Sequence, residues 1–258
     1  MTGKEQTAIR LCVIVPTYNN GGTVKDVVLS VLRHCSDVIV VNDGSTDDTN
    51  AVLAPLTAAM PEGKHVTVVA YTPNRGKGHA LTTGFKKAEE MGFTHAITID
   101  ADGQHFADDI PLFTERLRTA ERSIIVGCRN LAEDNMPRQN TFANKFSNFW
   151  FRLQTGVDLS DTQSGYRLYA LSALHGLSMI TARYESELEL LVYAAWAGEQ
   201  IASVNVRVYY PPTEERVTHF RPVYDFVRIS ILNTVLCIGA IVYGYPRKMI
   251  RGIKNMTA

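Results

Sequence analysis

Between Leu11 and Gly127, short β-branched apolar runs alternate with segments whose apolar residues recur at helical spacing. The runs are Leu11 to Val15, Val38 to Val41, His65 to Ala70, Ala96 to Ile99 and Ser123 to Gly127. Between them, Val24, Val27, Val28, Val31 and Leu32 form one apolar helical face, and further helices are predicted from about His79 to Met91 and from Phe106 to Arg122. An apolar run buried on both faces followed by a helical segment is the signature of right-handed βαβ crossovers. The chain is therefore predicted to be α/β, with a mostly parallel central sheet flanked by helices. In such sheets ligands gather at the carboxyl ends of the strands.

Those ends carry polar, glycine-rich sequence. The first strand runs into Pro16-Thr17-Tyr18-Asn19-Asn20-Gly21-Gly22 and the second into Asn42-Asp43-Gly44-Ser45-Thr46-Asp47, where Ser45 or Thr46 could cap the next helix. The third ends in Thr72-Pro73-Asn74-Arg75-Gly76-Lys77-Gly78, and the fourth in Asp100-Ala101-Asp102-Gly103-Gln104-His105. Alternate residues of an extended chain share a face, so Asp100 and Asp102 can point the same way, with Gln104 and His105 in reach. Carboxylate and amide oxygens at that spacing suit a hard cation, Mg2+ or Mn2+, which keeps coordination positions for substrate phosphate. An Asx turn accounts for the same residues taken alone. The topology, however, puts a carboxylate, a basic glycine-rich loop and a second carboxylate cluster on one sheet edge, which points to a nucleotide and metal site. Lys77 is placed to meet an anion there, or is a solvated loop lysine. No G-x-G-x-x-G follows the first strand, and Gly76-Lys77-Gly78-His79 lacks the Walker spacing, so neither a Rossmann dinucleotide site nor a P-loop is expected.

Composition narrows the class further. With 258 residues, 45% hydrophobic, 20% charged and a formal net charge of zero, the chain gives no electrostatic case for binding nucleic acid. Cys12, Cys35, Cys128 and Cys237 show no C-x-x-C spacing and are expected to be reduced thiols; Met1 to Arg10 has no apolar core of a secretory leader.

The motif set resembles glycosyltransferase family 2, whose members have the GT-A (Rossmann-like) fold. The resemblance rests on Pro16-Thr17-Tyr18-Asn19, Val40-Val41-Asn42-Asp43-Gly44-Ser45-Thr46-Asp47, Asn74-Arg75-Gly76-Lys77-Gly78 and Asp100-Ala101-Asp102-Gly103-Gln104-His105. The last two look most like the dolichyl-phosphate mannose synthase and polyprenyl-phosphate glycosyltransferase branch. That branch also has counterparts of Val126-Gly127-Cys128-Arg129 and Asp161-Thr162-Gln163-Ser164-Gly165-Tyr166-Arg167. The resemblance runs from about residue 10 to about residue 225. It implies that Pro16, Tyr18, Asn20, Val41, Asp43, Lys77, Asp100 and Ala101 hold a nucleoside diphosphate sugar, and that Asp102 and Gln104 hold Mg2+ or Mn2+ on its diphosphate. Arg129 would face an acceptor phosphate, and Arg216, with His219 or Arg221, would belong to a basic loop closing over the donor. The stretch Glu215-Arg216-Val217-Thr218-His219-Phe220-Arg221 departs from the Gly-Ser-Lys pattern usual there. Inversion at the anomeric carbon is implied by the resemblance alone.

A hydroxyl acceptor would need a general base, and Asp161 is the candidate; it is alternatively a cap or turn residue before the Tyr166-Arg167-Leu168-Tyr169 strand. A lipid phosphate is already anionic and needs positioning, for which Arg129 is suited. Glu187, on a helix predicted from Tyr184 to Trp196, is a further site candidate. His79 and His105 are expected to be packing residues, and Phe142, Phe146, Phe149, Trp150 and Phe151 either core or the lining of a lipid route.

Ile229 to Tyr245 is an uncharged apolar run with Arg228 before it and Arg247, Lys248, Arg251 and Lys254 after it. A buried helix, an interfacial helix and a short membrane span all compete for it. The favoured organisation is a catalytic unit over 1–225 and a membrane-associating helix over 226–258, at the cytoplasmic face of a membrane. Three functions follow: a membrane-bound transferase making a polyprenyl-phosphate sugar, a transferase acting on a hydroxyl of a glycan or glycolipid, and a non-catalytic nucleotide-sugar-binding protein.

Overall fold

A computed structural model describes residues 8–58, 60–120, 123–130, 138–210 and 222–256, with backbone only for 138–142, 222–226 and 252–256. Seven strands form one sheet: β1 (Leu11–Thr17), β2 (Asp37–Asp43), β3 (His65–Tyr71), β4 (His95–Thr98), β5 (Ser123–Arg129), β6 (Arg167–Ala170) and β7 (Gln200–Val206). Their order is β3-β2-β1-β4-β6-β5-β7. All neighbours are parallel except β6, which runs antiparallel to both β4 and β5, pairing Thr98 with Arg167 and Val126 with Arg167. The helices are α1 (Val24–Leu32), α2 (Thr49–Ala58), α3 (Lys77–Glu90), α4 (Ile110–Leu117), α5 (Arg138–Thr155), α6 (Glu185–Ala197), α7 (Pro222–Gly239) and α8 (Tyr245–Met256). A π-helical turn, Ala240–Gly244, joins the last two.

The period-2 alternation of the central strands sorts their side chains between two cores. Val13 and Val15 of β1, with Val38 and Val40 of β2, pack under Val27, Val28 and Val31 of α1, Leu53 of α2 and Phe113 of α4. Cys12, Ile14, Ile39 and Val41 face the other way, onto Leu81 and Phe85 of α3, Phe151 of α5, Leu191 of α6 and Leu236 of α7. Burial on both faces is why these strands read as unbroken apolar runs. The helix expected from Phe106 to Arg122 is shorter, a 3-10 turn (Ala107–Asp109) followed by α4, with Pro111 at its first turn. The helix expected from Tyr184 is α6, beginning at Glu185. All four cysteines are unpaired thiols, and Cys12, Cys35 and Cys128 are buried.

Candidate active site

The parallel register of β3, β2, β1 and β4 brings the four polar strand ends together, and side chains bind the loops to one another. Asn19, after β1, donates its backbone N–H to Ser45 Oγ (2.9 Å) and accepts the Thr46 N–H on Oδ1 (2.7 Å). Ser45 and Thr46 are thus occupied in the loop junction. The start of α2 is served instead by Asp47, whose Oδ1 accepts the Thr49 N–H at 3.0 Å. Asp43, 3% exposed, accepts from Asn74 Nδ2 (2.8 Å), the Arg75 N–H (2.7 Å) and the Gly76 N–H (2.8 Å), so it fixes the glycine-rich loop after β3. Gly44 makes that junction possible: its φ is 71°, and a Cβ there would lie 2.6 Å from the Asn74 nitrogen. Thr23, at the start of α1, donates to the Ala101 carbonyl at 2.6 Å and anchors the loop after β4.

These loops enclose a cleft of about 590 Å3. Pro16, Tyr18, Asn20, Asp43, Lys77, Asp100, Ala101, Asp102 and Gln104, all singled out from the sequence, line it. Val41 does not: its side chain lies in the core against α3, so only its strand contributes to the site. Arg183 and Tyr184 line the cleft as well and carry no motif in the sequence. They arrive because the Ala182 carbonyl accepts the Gly78 N–H (2.9 Å) and the His79 N–H (3.3 Å), which docks the segment before α6 on the first turn of α3. Gly76 and Gly78 are the sequence trace of that approach, since a Cβ on either would meet Ala182 or Ser186.

At the centre of the site, Lys77 Nζ lies 2.7 Å from Asp100 Oδ1 and 3.0 Å from Glu187 Oε2. Burial alone would pull the Lys77 pKa down, but Asp100 and Glu187 overcome it and hold the ammonium charged. Burial likewise opposes the Asp100 carboxylate, and Lys77 keeps it below the usual aspartate range. Gly165 closes this cluster from the far side. A Cβ there would stand 2.6 Å from Lys77 Nζ, 2.8 Å from Asp100 Oδ2 and 3.1 Å from Glu187 Oε1. Glu187 is thereby joined to the site as the second counter-ion of Lys77.

Asp102 differs from its neighbours. Its Oδ1 accepts the Gln104 N–H at 3.0 Å, and it makes no ion pair among the described residues. Burial, then the adjacent Asp100 charge, push its pKa up to about 6. A carboxylate disfavoured as a bare anion, in an open cleft beside a second carboxylate and an amide, fits a divalent cation. Among the described residues no three His, Cys, Asp or Glu side chains converge as a metal cage. The residues that would hold Mg2+ or Mn2+ here are Asp102 and Gln104, a donor set that relies on substrate oxygens and water for the remaining ligands.

Arg129 and Asp161 form a second cluster, and neither lines the cleft. Arg129 donates Nε (2.6 Å) and its backbone N–H (3.1 Å) to Asp161 Oδ2, and Nη2 (3.0 Å) to Oδ1. Asn144 Nδ2 (2.5 Å) and the Gln163 N–H (3.1 Å) also bind Oδ1. Burial would raise the Asp161 pKa, but Arg129 and these donors bring it below the usual value. A fully buried carboxylate saturated by five donors is poorly suited to take a proton. Its geometry is that of an anchor for Arg129 rather than the expected base. His105 is held neutral, its pKa lowered to about 4 by burial, and it packs on Tyr166 with ring centroids 5.1 Å apart. His79 packs edge-on against Tyr71. Arg216, His219 and Arg221 lie outside the described residues.

Residues 12–175 match the family model described as Glycosyl transferase family 2. The chain belongs to that family and is a glycosyltransferase. It is 34% identical over 212 residues to a UDP-N-acetylglucosamine–dolichyl-phosphate N-acetylglucosaminyltransferase of Methanococcus voltae, covering 76% of this chain and 84% of the relative. It is 28% identical over 207 residues to an undecaprenyl-phosphate mannosyltransferase of Micrococcus luteus, covering 77% and 83%. These relatives belong to the polyprenyl-phosphate branch that the motifs resemble. Among solved structures, glucosyl-3-phosphoglycerate synthase from Mycobacterium tuberculosis bound to Mn2+, uridine diphosphate and its product superposes with a TM-score of 0.60. The identity there is 20%, over 90% of this chain and 80% of that one, and the likeness establishes the GT-A fold.

Proposed function

We propose that the protein transfers a hexose from a nucleoside diphosphate sugar, of the GDP-mannose or UDP-glucose type, to a polyprenyl phosphate, with Mg2+ or Mn2+ as cofactor. The observation that carries this reading is the division of labour among the carboxylates of the cleft. Asp43 is committed to the loop and Asp100 to Lys77, while Asp102 makes no ion pair among the described residues and lies one turn of loop from Gln104. A divalent cation at Asp102 and Gln104 would supply charge neutralisation on the departing diphosphate. Lys77 holds positive charge at the cleft wall, and the loops gripped by Asp43 and Asn19 set the walls against which the nucleoside lies.

Arg129 supports an anionic acceptor. Its guanidinium is fixed on one edge by Asp161, and the Asp100 carboxylate is near enough to favour its charge. A phosphate acceptor needs placement and no deprotonation, which agrees with Asp161 being saturated. Both relatives named above are described as acting on polyprenyl phosphates. The proposed organisation is a catalytic unit over 1–225 and a membrane-associating helix over 226–258, at the cytoplasmic face of the membrane.

The test is incubation of purified protein with Mg2+, polyprenyl phosphate and a panel of radiolabelled GDP- and UDP-sugars, followed by counting label extracted into organic solvent. Label extracted with one donor, and lost on adding a chelator, is the expected result. Donor binding without extractable label, together with transfer to a glycan hydroxyl, would overturn the choice of acceptor.

A further inference from the structure

At the end of β7, Val206 pairs with Arg129 of β5, and the chain runs on as a short strap along the loop that follows β4. The next three residues each hold that loop. Arg207 binds Asp109, Val208 forms an antiparallel bridge with His105, and Tyr209 donates its N–H to the Gln104 carbonyl at 2.8 Å. Four consecutive residues thus tie the backbone at Arg129 to the loop that carries Asp102 and Gln104.

Arg207 is the clasp of this strap. Its backbone N–H bonds Asp109 Oδ2 at 2.7 Å, while Nε and Nη2 converge on Oδ1 at 2.9 and 2.6 Å. The guanidinium also lies over the Phe106 ring, 5.1 Å from its centroid. Asp109 stands at the N-cap of α4, where an aspartate ordinarily accepts an N–H of the first turn. Here it makes no capping bond. A carboxylate whose side chain is 5% exposed is turned from that local role to hold an arginine that is 60% exposed. An ion pair so open to water adds little stability, so its use is better sought in the register it fixes.

Register matters because packing does little to set the metal loop. Gly103, between Asp102 and Gln104, has a φ of 75° and open space where a Cβ would stand. Gln104 is held through its backbone instead, by its N–H to Asp102 Oδ1 at 3.0 Å and by its carbonyl to Tyr209. A slip of the strap by one residue would move the Tyr209 donor by about 3.3 Å. Metal–ligand distances tolerate a departure of only about 0.2 Å.

We infer that Arg207, through Asp109, is a positioning residue for metal binding: it locks the register in which Tyr209 sets Gln104 beside Asp102. Neither Arg207 nor Asp109 lines the cleft, and both act through the backbone of the loop. The inference rests on the proposed assignment of Mg2+ or Mn2+ to Asp102 and Gln104, and it names what holds that pair in place.

The experiment is calorimetric titration of the full chain with UDP and with GDP, each in Mn2+ and in EDTA. The ratio of the Kd in EDTA to the Kd in Mn2+ measures what the metal adds. Wild type should show a gain with one nucleotide, and Asp102→Asn should abolish it. Arg207→Ala should cut the ratio about tenfold, as loss of a residue supporting a metal ligand does, and leave the Kd in EDTA within about twofold of wild type. Arg207→Lys offers a point charge in place of two fixed N–H groups, so it should restore Tm and leave the ratio low. In a Gln104→Ala background, Arg207→Ala should lower the ratio no further, because the two act on one ligand. Circular dichroism confirms that each variant is folded, and Asp109→Asn repeats the test if Arg207→Ala is not. A ratio unchanged in Arg207→Ala but abolished in Asp102→Asn would overturn the inference and leave the metal assignment standing. Equal weakening in Mn2+ and in EDTA would also overturn it, since the clasp would then serve the fold alone. A wild type indifferent to Mn2+ with both nucleotides would overturn the metal assignment itself, and the inference with it.

Discussion

Substituting Asp161 by Asn separates an anchoring carboxylate from a proton-abstracting one. The carboxylate accepts five hydrogen bonds, three of them from Arg129. An asparagine can keep Oδ1 as an acceptor for Asn144 and Gln163, but its amide N–H groups would then face the Nε and backbone N–H of Arg129. Two bonds are lost, one charge-assisted and worth about 1.5–3 kcal/mol and one ordinary at about 1 kcal/mol. The guanidinium, 16% exposed, also loses its counter-charge. Removal of one member of a buried pair costs about 3–5 kcal/mol, so about 4 kcal/mol is expected, or a fall in Tm of about 8–16 °C. Urea unfolding followed by tryptophan fluorescence measures it. The pH dependence has a definite sign. The folded-state pKa of Asp161 is depressed, so its stabilisation is fully present above the unfolded value of about 3.9 and is lost as pH falls through the folded one. The gap between wild type and Asp161→Asn should therefore be constant from pH 8 to 5 and shrink in more acidic solution. In transfer assays the variant should show a raised KM for the acceptor through the displaced Arg129, with donor binding retained. A variant as stable as wild type with turnover abolished would refute the anchoring role and restore Asp161 as a base.

Three further outcomes are expected. Asp102→Asn should abolish Mg2+- or Mn2+-dependent turnover while leaving the fold intact; turnover within twofold of wild type would exclude Asp102 as the metal ligand. In metal-free protein, Asp102 has a folded pKa raised to about 6, so its contribution is fully present below the unfolded value and is lost as pH rises towards and through 6. Stability measured by urea unfolding should drop by about 3 kcal/mol over that interval relative to Asp102→Asn, and millimolar Mg2+ should recover it. Gly165→Ala should destabilise by about 1–3 kcal/mol and weaken donor binding in calorimetry, since its methyl group displaces Lys77, Asp100 and Glu187 together. Unaltered donor affinity there would disconnect the Lys77 cluster from the nucleotide site.

The parallel part of the fold is legible because each central strand is buried on both faces and ends in polar sequence, and topology alone then gathers Asp43, Lys77, Asp100 and Asp102 at one edge. What the sequence leaves open is which of these groups is already occupied. Asp100 reads like Asp102 until tertiary structure sets Lys77 2.7 Å from one of them and not the other. Asp161 reads as a plausible base until Arg129 and Asn144, from two different elements, saturate it. Val41 looks like part of a motif because it neighbours Asp43, yet the strand pleat turns it into the core. Arg183 and Tyr184 carry no local signal at all; only the glycines at 76 and 78, which admit the Ala182 carbonyl, hint that another segment must come close. Motif spacing can thus place oxygen atoms at a strand end, but reactivity depends on the partners that distant segments bring. Asp43, Asp100 and Asp161 are each bound by cations or N–H donors, whereas Asp102 has its pKa raised and no counter-ion among the described residues. Among the described carboxylates of the cleft, Asp102 alone has neither an ion pair nor several N–H donors, which is why the proposed metal is assigned to it.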